Sequence, residues 1–403
     1  MSSEKKLFGF HKNVFGAGLA SFFMDVSSEM IYPLVPLFLA NVLGVNKSVI
    51  GLIEGIAEAT ASLLKVFSGW FSDRISNRKW LMTGGYGIST LSRPLIAVAA
   101  GWLGVLASRF VDRLGKGIRT APRDAIIAES TDRSRLARAF GFHRAMDTMG
   151  AVVGPALALL LLAYFDNNYR LVFWASMVPG VLAVLAIILF IREKKRDGAM
   201  PAARPRLTWR RFDWKVWFFL LIVTLFALGN SSDVFLILRA QQVGIATALV
   251  PAVYLTFNLV YSLAAVPAGM AADRFGRKRI ILLGFLLFSG LYYGFGALET
   301  PRAIWLLFIL YGLFMGLTEG IQKAFLTTII PAEFKATAFG AYAASVGLAA
   351  FPASLVAGGL WDHVSPAAAF YYGSATAGLS ALLFGIFIIA CRVAESRPSN
   401  TTA

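Results

Sequence analysis

The sequence predicts an all-α polytopic membrane protein, with twelve transmembrane helices in two pseudo-symmetric six-helix bundles. Three observations carry this. Hydrophobic residues make up 57% of the 403-residue chain and charged residues 15%, with a mean hydropathy of +0.67. A soluble domain is about one-quarter charged. Apolar runs of spanning length, about 20 residues, recur twelve times, and the second half repeats polar signatures of the first in the same order.

The runs justify themselves in turn. The first, 14–39, is too long and too acidic (Asp25, Glu29) for a cleaved signal peptide. The second, 48–70, carries Glu54, Glu58 and Lys65. The third, 80–100, holds Arg93 and Pro94. The fourth, 102–122, is the most charged, with Arg109, Asp112, Arg113, Lys116 and Arg119. The fifth, 141–163, has Arg144 and Asp147 and is rich in glycine, and 169–191 closes the first half. The second half runs 214–238 (with Asp233), 247–269, 279–298, 302–323 (with Glu319 and Lys323), 337–360 and 367–391. Strands would alternate in hydropathy, so these are helices and not a barrel.

Lysine and arginine set the orientation. With the N-terminus in the cytoplasm, the inner segments hold 25 of them and the outer loops four: Lys47, Arg170, Arg239 and Arg302. Both termini are therefore expected inside, in a plasma (inner) membrane. Residues 192–213 form the longest polar stretch, basic and rich in Pro and Ala. They read as a cytoplasmic linker between bundles 1–191 and 214–403.

Several functions are excluded by composition and motif. The net charge of +16 sits in short loops between apolar runs, not on the soluble basic face that nucleic acid needs. A single cysteine, Cys391, excludes an intrachain disulfide or a cysteine metal site. His11, His143 and His363 are too scattered for zinc. Gly115-Lys116-Gly117 lacks the Ser/Thr of an ATP-binding loop, and no hydrolase or dinucleotide fingerprint occurs. No enzyme activity, metal or cofactor is expected.

The repeat is specific. Gly69-Trp-Phe-Ser-Asp73-Arg74-Ile-Ser-Asn-Arg78-Lys79 matches Gly269-Met-Ala-Ala-Asp273-Arg274-Phe-Gly-Arg-Lys278-Arg279. Ser27-Ser28-Glu29 matches Ser231-Ser232-Asp233. Gly117-Ile118 matches Gly320-Ile321, and Ala139-Phe140-Gly141 matches Ala338-Phe339-Gly340. Parallel repeats about an axis along the membrane normal are a transporter plan with substrate at their interface.

On these residues the chain resembles the major facilitator superfamily over nearly its whole length. The signature G-x-x-x-D-R-x-G-R-R/K-R/K is complete at 269–279 and altered at 69–79, where Ser76 and Asn77 replace Gly and Arg. The resemblance implies a rocking two-bundle transporter. Asp73-Arg74 and Asp273-Arg274, each at the cytoplasmic end of a helix, are then candidates for a latch that forms in one conformation.

A charge at the bilayer centre costs at least ~3 kcal/mol, so intramembrane charges should face a cavity or one another. Asp25 and Glu29 are one turn apart, as are Glu54 and Glu58. Arg109, Asp112, Arg113 and Lys116 form one stripe at i, i+3, i+4 and i+7. These place a polar cleft between the first, second, fourth and fifth helices. A buried carboxylate can load a proton and a nearby Arg can expel it. A static ion-pair network is the plainer reading, strongest near the cytoplasmic ends. Asp233 and Glu319 are the second-half counterparts. Tyr32, Tyr254, Asn258 and Tyr261 are expected to line the cavity, Tyr254 and Asn258 in the places of Glu54 and Glu58.

Two further stretches resemble superfamily motifs. Arg109-Phe-Val-Asp112-Arg113-Leu-Gly115-Lys-Gly117 is similar to R-x-x-x-G-x-G-x-G, whose Arg is associated with proton coupling, and Arg113 replaces its first Gly. Gly141, Gly150, Gly154 and Pro155 resemble the helix-five series of antiporters, without its closing Gly-Gly. The physical role of such glycines is close helix packing.

These readings favour a monomeric secondary transporter in the lipid bilayer, exporting a small organic compound in exchange for protons. The alternatives are proton-coupled uptake of an organic anion or metal chelate, and a non-transporting scaffold or receptor.

Overall fold

The computed structural model describes residues 6–7, 10–72, 77–131, 136–192, 213–330 and 335–396. A two-residue ladder, β1 Lys6–Leu7 with β2 Phe10–His11, precedes the helices. Next come α1 Lys12–Ile31, α2 Val35–Leu37 and a π-helical turn at Phe38–Val42, then α3 Lys47–Ser72, α4 Arg78–Ala97, α5 Trp102–Glu129, α6 Leu136–Tyr164, α7 Tyr169–Ala175 and α8 Met177–Phe190. The second half holds α9 Trp214–Gly229, α10 Val234–Gln242, α11 Val250–Phe275, α12 Arg277–Ala297, α13 Pro301–Leu326, α14 Lys335–His363 and α15 Pro366–Ser396.

These make twelve helical segments, of which nine, among the described residues, are long and apolar enough to cross a membrane. The other three are α3, α4 and α5, of 26, 20 and 28 residues. At about 1.5 Å per residue they too have spanning length. Their charges depress their hydropathy, and Glu54, Arg93, Arg109, Asp112 and Arg113 among them are buried.

Three segments expected as single spans are broken. Pro33 ends α1, since its ring cannot donate to Glu29 and clashes with that carbonyl. The α7–α8 break falls at Ser176, three residues before Pro179. Residues 230–233, Asn-Ser-Ser-Asp, separate α9 from α10. Their short polar side chains compete with helical backbone bonds.

Helix direction alternates, so helix ends fall on two faces. The face bearing the start of α1 and the end of α15 is the termini face. α1 packs on α6 and α8, α4 on α5 and α8, and α3 on α5. In the second half α11 packs on α13, α12 on α15 and α13, and α15 on α9. The two groups meet at α3–α14 and α6–α11.

Their interiors differ. The second is an aromatic lattice: Phe226 stacks on Phe285 with centroids 4.6 Å apart, and Phe288 on Tyr292 at 4.0 Å. Each such pair adds about 0.5–1.5 kcal/mol beyond burial. The first is built around charge.

Two cations on the face opposite the termini have a structural use. Arg170 donates to the carbonyls of Ala97 (2.6 Å) and Ala99 (2.9 Å) at the end of α4. Arg239 donates to those of Phe295 (2.9 Å) and Gly296 (3.3 Å) at the end of α12. Each satisfies carbonyls at the negative end of a helix.

Candidate functional site

The stripe on α5 meets a matching stripe on α3. Arg109 binds Glu54 through Nε–Oε1 at 3.0 Å and Nη2–Oε2 at 2.5 Å. One turn along, Arg113 Nη2 lies 2.9 Å from Glu58 Oε1. Carboxylates four residues apart on α3 thus face guanidiniums four apart on α5, a two-rung ladder. Glu54 and Arg109 are almost wholly buried.

Behind it, Arg93 of α4 lies 3.1 Å from Asp112 Oδ1. That oxygen has no aligned hydrogen bond, so the contact is one of charge. Arg93 also donates to the hydroxyls of Ser27 (3.0 Å) and Ser28 (2.9 Å) on α1. The four helices are therefore cross-linked through one buried network.

Asp25 and Glu29 do not join it through Arg109, whose guanidinium is occupied by Glu54. Asp25 and Glu29 face α6. A Cβ on Gly150 would stand 2.8 Å from Asp25 Cβ, and one on Gly154 would stand 2.9 Å from Glu29 Cβ. These glycines let the two backbones touch at the acidic face of α1. Gly141 is different, because a Cβ there meets nothing within 4 Å, so close packing does not extend to it. Pro155 lies inside α6 without ending it. Glu29 shares a side-chain hydrogen bond with Tyr254, while its Oε2 is buried without a partner. Asp147, Lys116 and Arg119 act on Asp25 across the same space.

The aromatic and amide candidates part company. Tyr32 lies at the α1 break, its ring 5.5 Å from the Arg109 guanidinium and 5.4 Å from the ring of Tyr254. It bridges the two groups of helices. Asn258 is buried and donates one N–H of its Nδ2 to the carbonyl of Tyr254 at 3.2 Å, within α11. Tyr261 accepts from Arg144 Nη2 at 2.7 Å. Both line a cavity of about 490 Å³ near the termini face, together with Gly269, Asp273, Gly316 and Lys323.

Asp233 lies in the α9–α10 break and accepts from the Tyr311 hydroxyl at 2.7 Å. Its neighbour Ser232 reaches Glu54 Oε2 at 3.5 Å. The repeated Ser-Ser-acid tripeptide therefore serves the core twice: Ser27 and Ser28 hold Arg93, and Ser232 reaches the first group's ion pair. Sequence reasoning matched the two copies but missed these roles. It also missed Tyr311, which had no polar pattern to mark it.

The proposed latch is only partly within view. Asp73 and Arg74, and the side-chain surroundings of Gly69 and Glu319, lie outside the described residues. In the second copy, Asp273 pairs with Arg277 at 3.3 Å, largely exposed, a contact of about 0–1 kcal/mol. Arg274 lies over the adjacent Phe275 ring at 5.4 Å. A Cβ on Gly269 would meet nothing within 4 Å.

Three charged side chains of this assembly are not covered by protein. The Glu58 side chain is 41% exposed, and Lys116 and Arg144 are exposed. Charges turned to lipid at these depths would be costly, so they mark a hydrated cleft between the two groups of helices.

A long-helix membrane fold with buried ion pairs, helix breaks and a hydrated cleft defines a solute transporter, and the comparisons agree. A sequence model described as Major Facilitator Superfamily matches residues 17–253 and 218–403. An uncharacterised MFS-type transporter of Methanocaldococcus jannaschii is 36% identical over 382 residues, 92% of this chain and 94% of that one. The chain belongs to the Major Facilitator Superfamily, whose members here are transporters and not enzymes. The Staphylococcus aureus quinolone resistance protein NorA is 22% identical over 225 residues, 55% of this chain and 56% of that one. Among solved structures, the peptide transporter POT in complex with alafosfalin superposes with a TM-score of 0.79 at 14% identity, covering 97% of this chain and 96% of the other. An inward-facing, unoccupied bacterial homologue of the human lysosomal transporter Spinster gives 0.73 at 16%, covering 96% and 98%.

Proposed function

We propose that this transporter exports a small organic compound in exchange for protons. The observation that carries the reading is Glu29. Its Oε2 is buried without a partner, whereas Glu54, Glu58 and Asp112 each lie within 4 Å of a guanidinium. A carboxylate held by Arg is tied to its ionised form, and one without such a partner is available to a proton. Glu29 is the proposed carrier, with Asp25 one turn nearer the termini face. Arg109 and Glu54 keep charge balanced beside it. Asp233 with Tyr311 is the second-half counterpart.

In this reading residues 1–191 and 214–403 are two bundles that rock about the cleft, with 192–213 as a cytoplasmic linker. The chain lies in the plasma membrane with both termini inside, as the loop charges direct. Export is supported by the name of the NorA relatives and by the close α1–α6 packing at Gly150 and Gly154. A second reading, uptake of an organic anion, is favoured by Arg119, whose buried Nη1 has no partner.

The test uses inside-out vesicles with an acid lumen and a pH-reporting dye, challenged with a compound panel that includes a quinolone. An exported compound should collapse the gradient as it enters the lumen. Accumulation of a compound in right-side-out vesicles under an inward proton gradient would instead establish symport.

A further inference from the structure

On the face opposite the termini, α14 supplies a side-chain cap to the start of α3. Asp362, the penultimate residue of α14, accepts from the backbone N–H of Lys47 at 3.2 Å, the N–H of Ser48 at 2.6 Å and the Ser48 hydroxyl at 2.7 Å. The first N–H groups of a helix have no partner within it, and an anion there opposes the positive end of the dipole. A carboxylate 314 residues away in sequence thus does the work normally done by the residue before the helix.

The cap stands at the end of a seam built for close approach. A Cβ on Gly358 would collide with the Lys47 carbonyl, one on Gly51 with the Ser354 carbonyl and one on Gly347 with Ser62; on Gly55 it would stand 3.0 Å from Phe351. Ser354 Oγ also accepts from the Ser232 N–H at 3.2 Å. The seam that Asp362 closes therefore holds the segment that presents Ser232 to Glu54.

We infer that Asp362 is the gate-positioning residue of this transporter: by capping α3 in trans it holds the face opposite the termini shut, and its release opens that face and withdraws Ser232 from Glu54. α3 and α14 belong to different groups of helices, so the cap exists only while those groups are together. The inference rests on the rocking motion proposed above.

The test reads conformation and needs neither substrate nor proton flux. Spin labels are placed at Asn167→Cys and Glu299→Cys, exposed loop positions of the two groups on that face, in a Cys391→Ser background. The full chain is reconstituted in lipid nanodiscs and the distance distribution is measured. Asp362→Ala should raise the ratio of the long-distance to the short-distance population about tenfold, the scale of losing one charge-assisted cap. Asp362→Asn, which keeps an acceptor oxygen, should fall between, and Ser48→Ala should shift the ratio the same way by less. Melting temperature, followed in parallel, should move little, because the cap is a minor part of total stability. An unchanged distribution in a folded Asp362→Ala overturns the latch and leaves the rocking motion standing if the unsubstituted protein shows both distances. A single distance in every variant overturns both. Should Asp362→Ala fail to fold, Asp362→Asn and Ser48→Ala decide by the same ratio.

Discussion

Arg109 and Glu54 form a two-point pair in the membrane interior, with Nε and Nη2 of the guanidinium each on its own carboxylate oxygen. The geometry fixes both side chains, and Tyr32 covers the guanidinium face. Two charges so placed are tolerable only together, which determines how substitutions there should behave.

Removing either partner leaves a buried charge uncompensated. Glu54→Ala or Arg109→Ala alone should cost about 3–5 kcal/mol, read as a lowered unfolding midpoint of the purified protein. The double replacement Glu54→Leu with Arg109→Leu should recover most of that stability while transport stays abolished. Additive losses in the double variant would mean that the two groups act independently.

The proton carrier should separate from the structural charges. Glu29→Gln should retain solute binding and lose flux driven by a pH gradient in proteoliposomes. Asp25→Asn should weaken coupling less. Full pH-driven flux in Glu29→Gln would remove Glu29 from the mechanism and put Asp25 first.

The glycines of α6 should divide into two classes. Gly154→Val places atoms against Glu29 and the Val26 carbonyl, and should cost about 1–3 kcal/mol as overpacking while impairing transport. Gly141→Ala fills open space and should stabilise α6 by up to about 1 kcal/mol. Thermal unfolding of both variants checks this; equal destabilisation would contradict the open environment of Gly141.

Tyr311→Phe deletes the hydroxyl that serves Asp233. Leaving this half-buried acceptor short of its donor should cost about 1 kcal/mol, and Asp233→Asn should make the Tyr311→Phe change milder. A double-mutant cycle on the unfolding midpoints measures the coupling, and a coupling of zero would show that the pair contributes no net stability.

Orientation is testable by chemistry. A cysteine at Ala203, in a Cys391→Ser background, should resist an impermeant thiol reagent in intact cells and react once the membrane is opened. Ready labelling in intact cells would invert the topology.

Much of this molecule is written in one dimension. Apolar runs of spanning length follow from the cost of exposing polar backbone to lipid. The stripe Arg109, Asp112, Arg113 and Lys116 follows from helical periodicity, and the two halves are visible because matched signatures recur about 200 residues apart. Faces of helices were therefore legible, and so was the concentration of charge in the first half.

Partners across helices were not. Periodicity says that Arg109 and Glu54 each lie on a polar face, but which faces meet depends on how α3, α5 and α6 pack. That packing gave Arg109 to Glu54 and turned Asp25 and Glu29 toward the glycines of α6. The break at 230–233 was hidden inside an apolar run, because hydropathy averages over the four polar residues that end α9. Asp362 lies just beyond the span 337–360 that hydropathy marks; only the tertiary fold brings it onto α3, because a helix N-terminus accepts an anion from whatever part of the chain arrives there. Local periodicity determined the elements and their faces, and the long-range meeting of those faces decided which charges are paired, which is left open, and where the two groups of helices are held together.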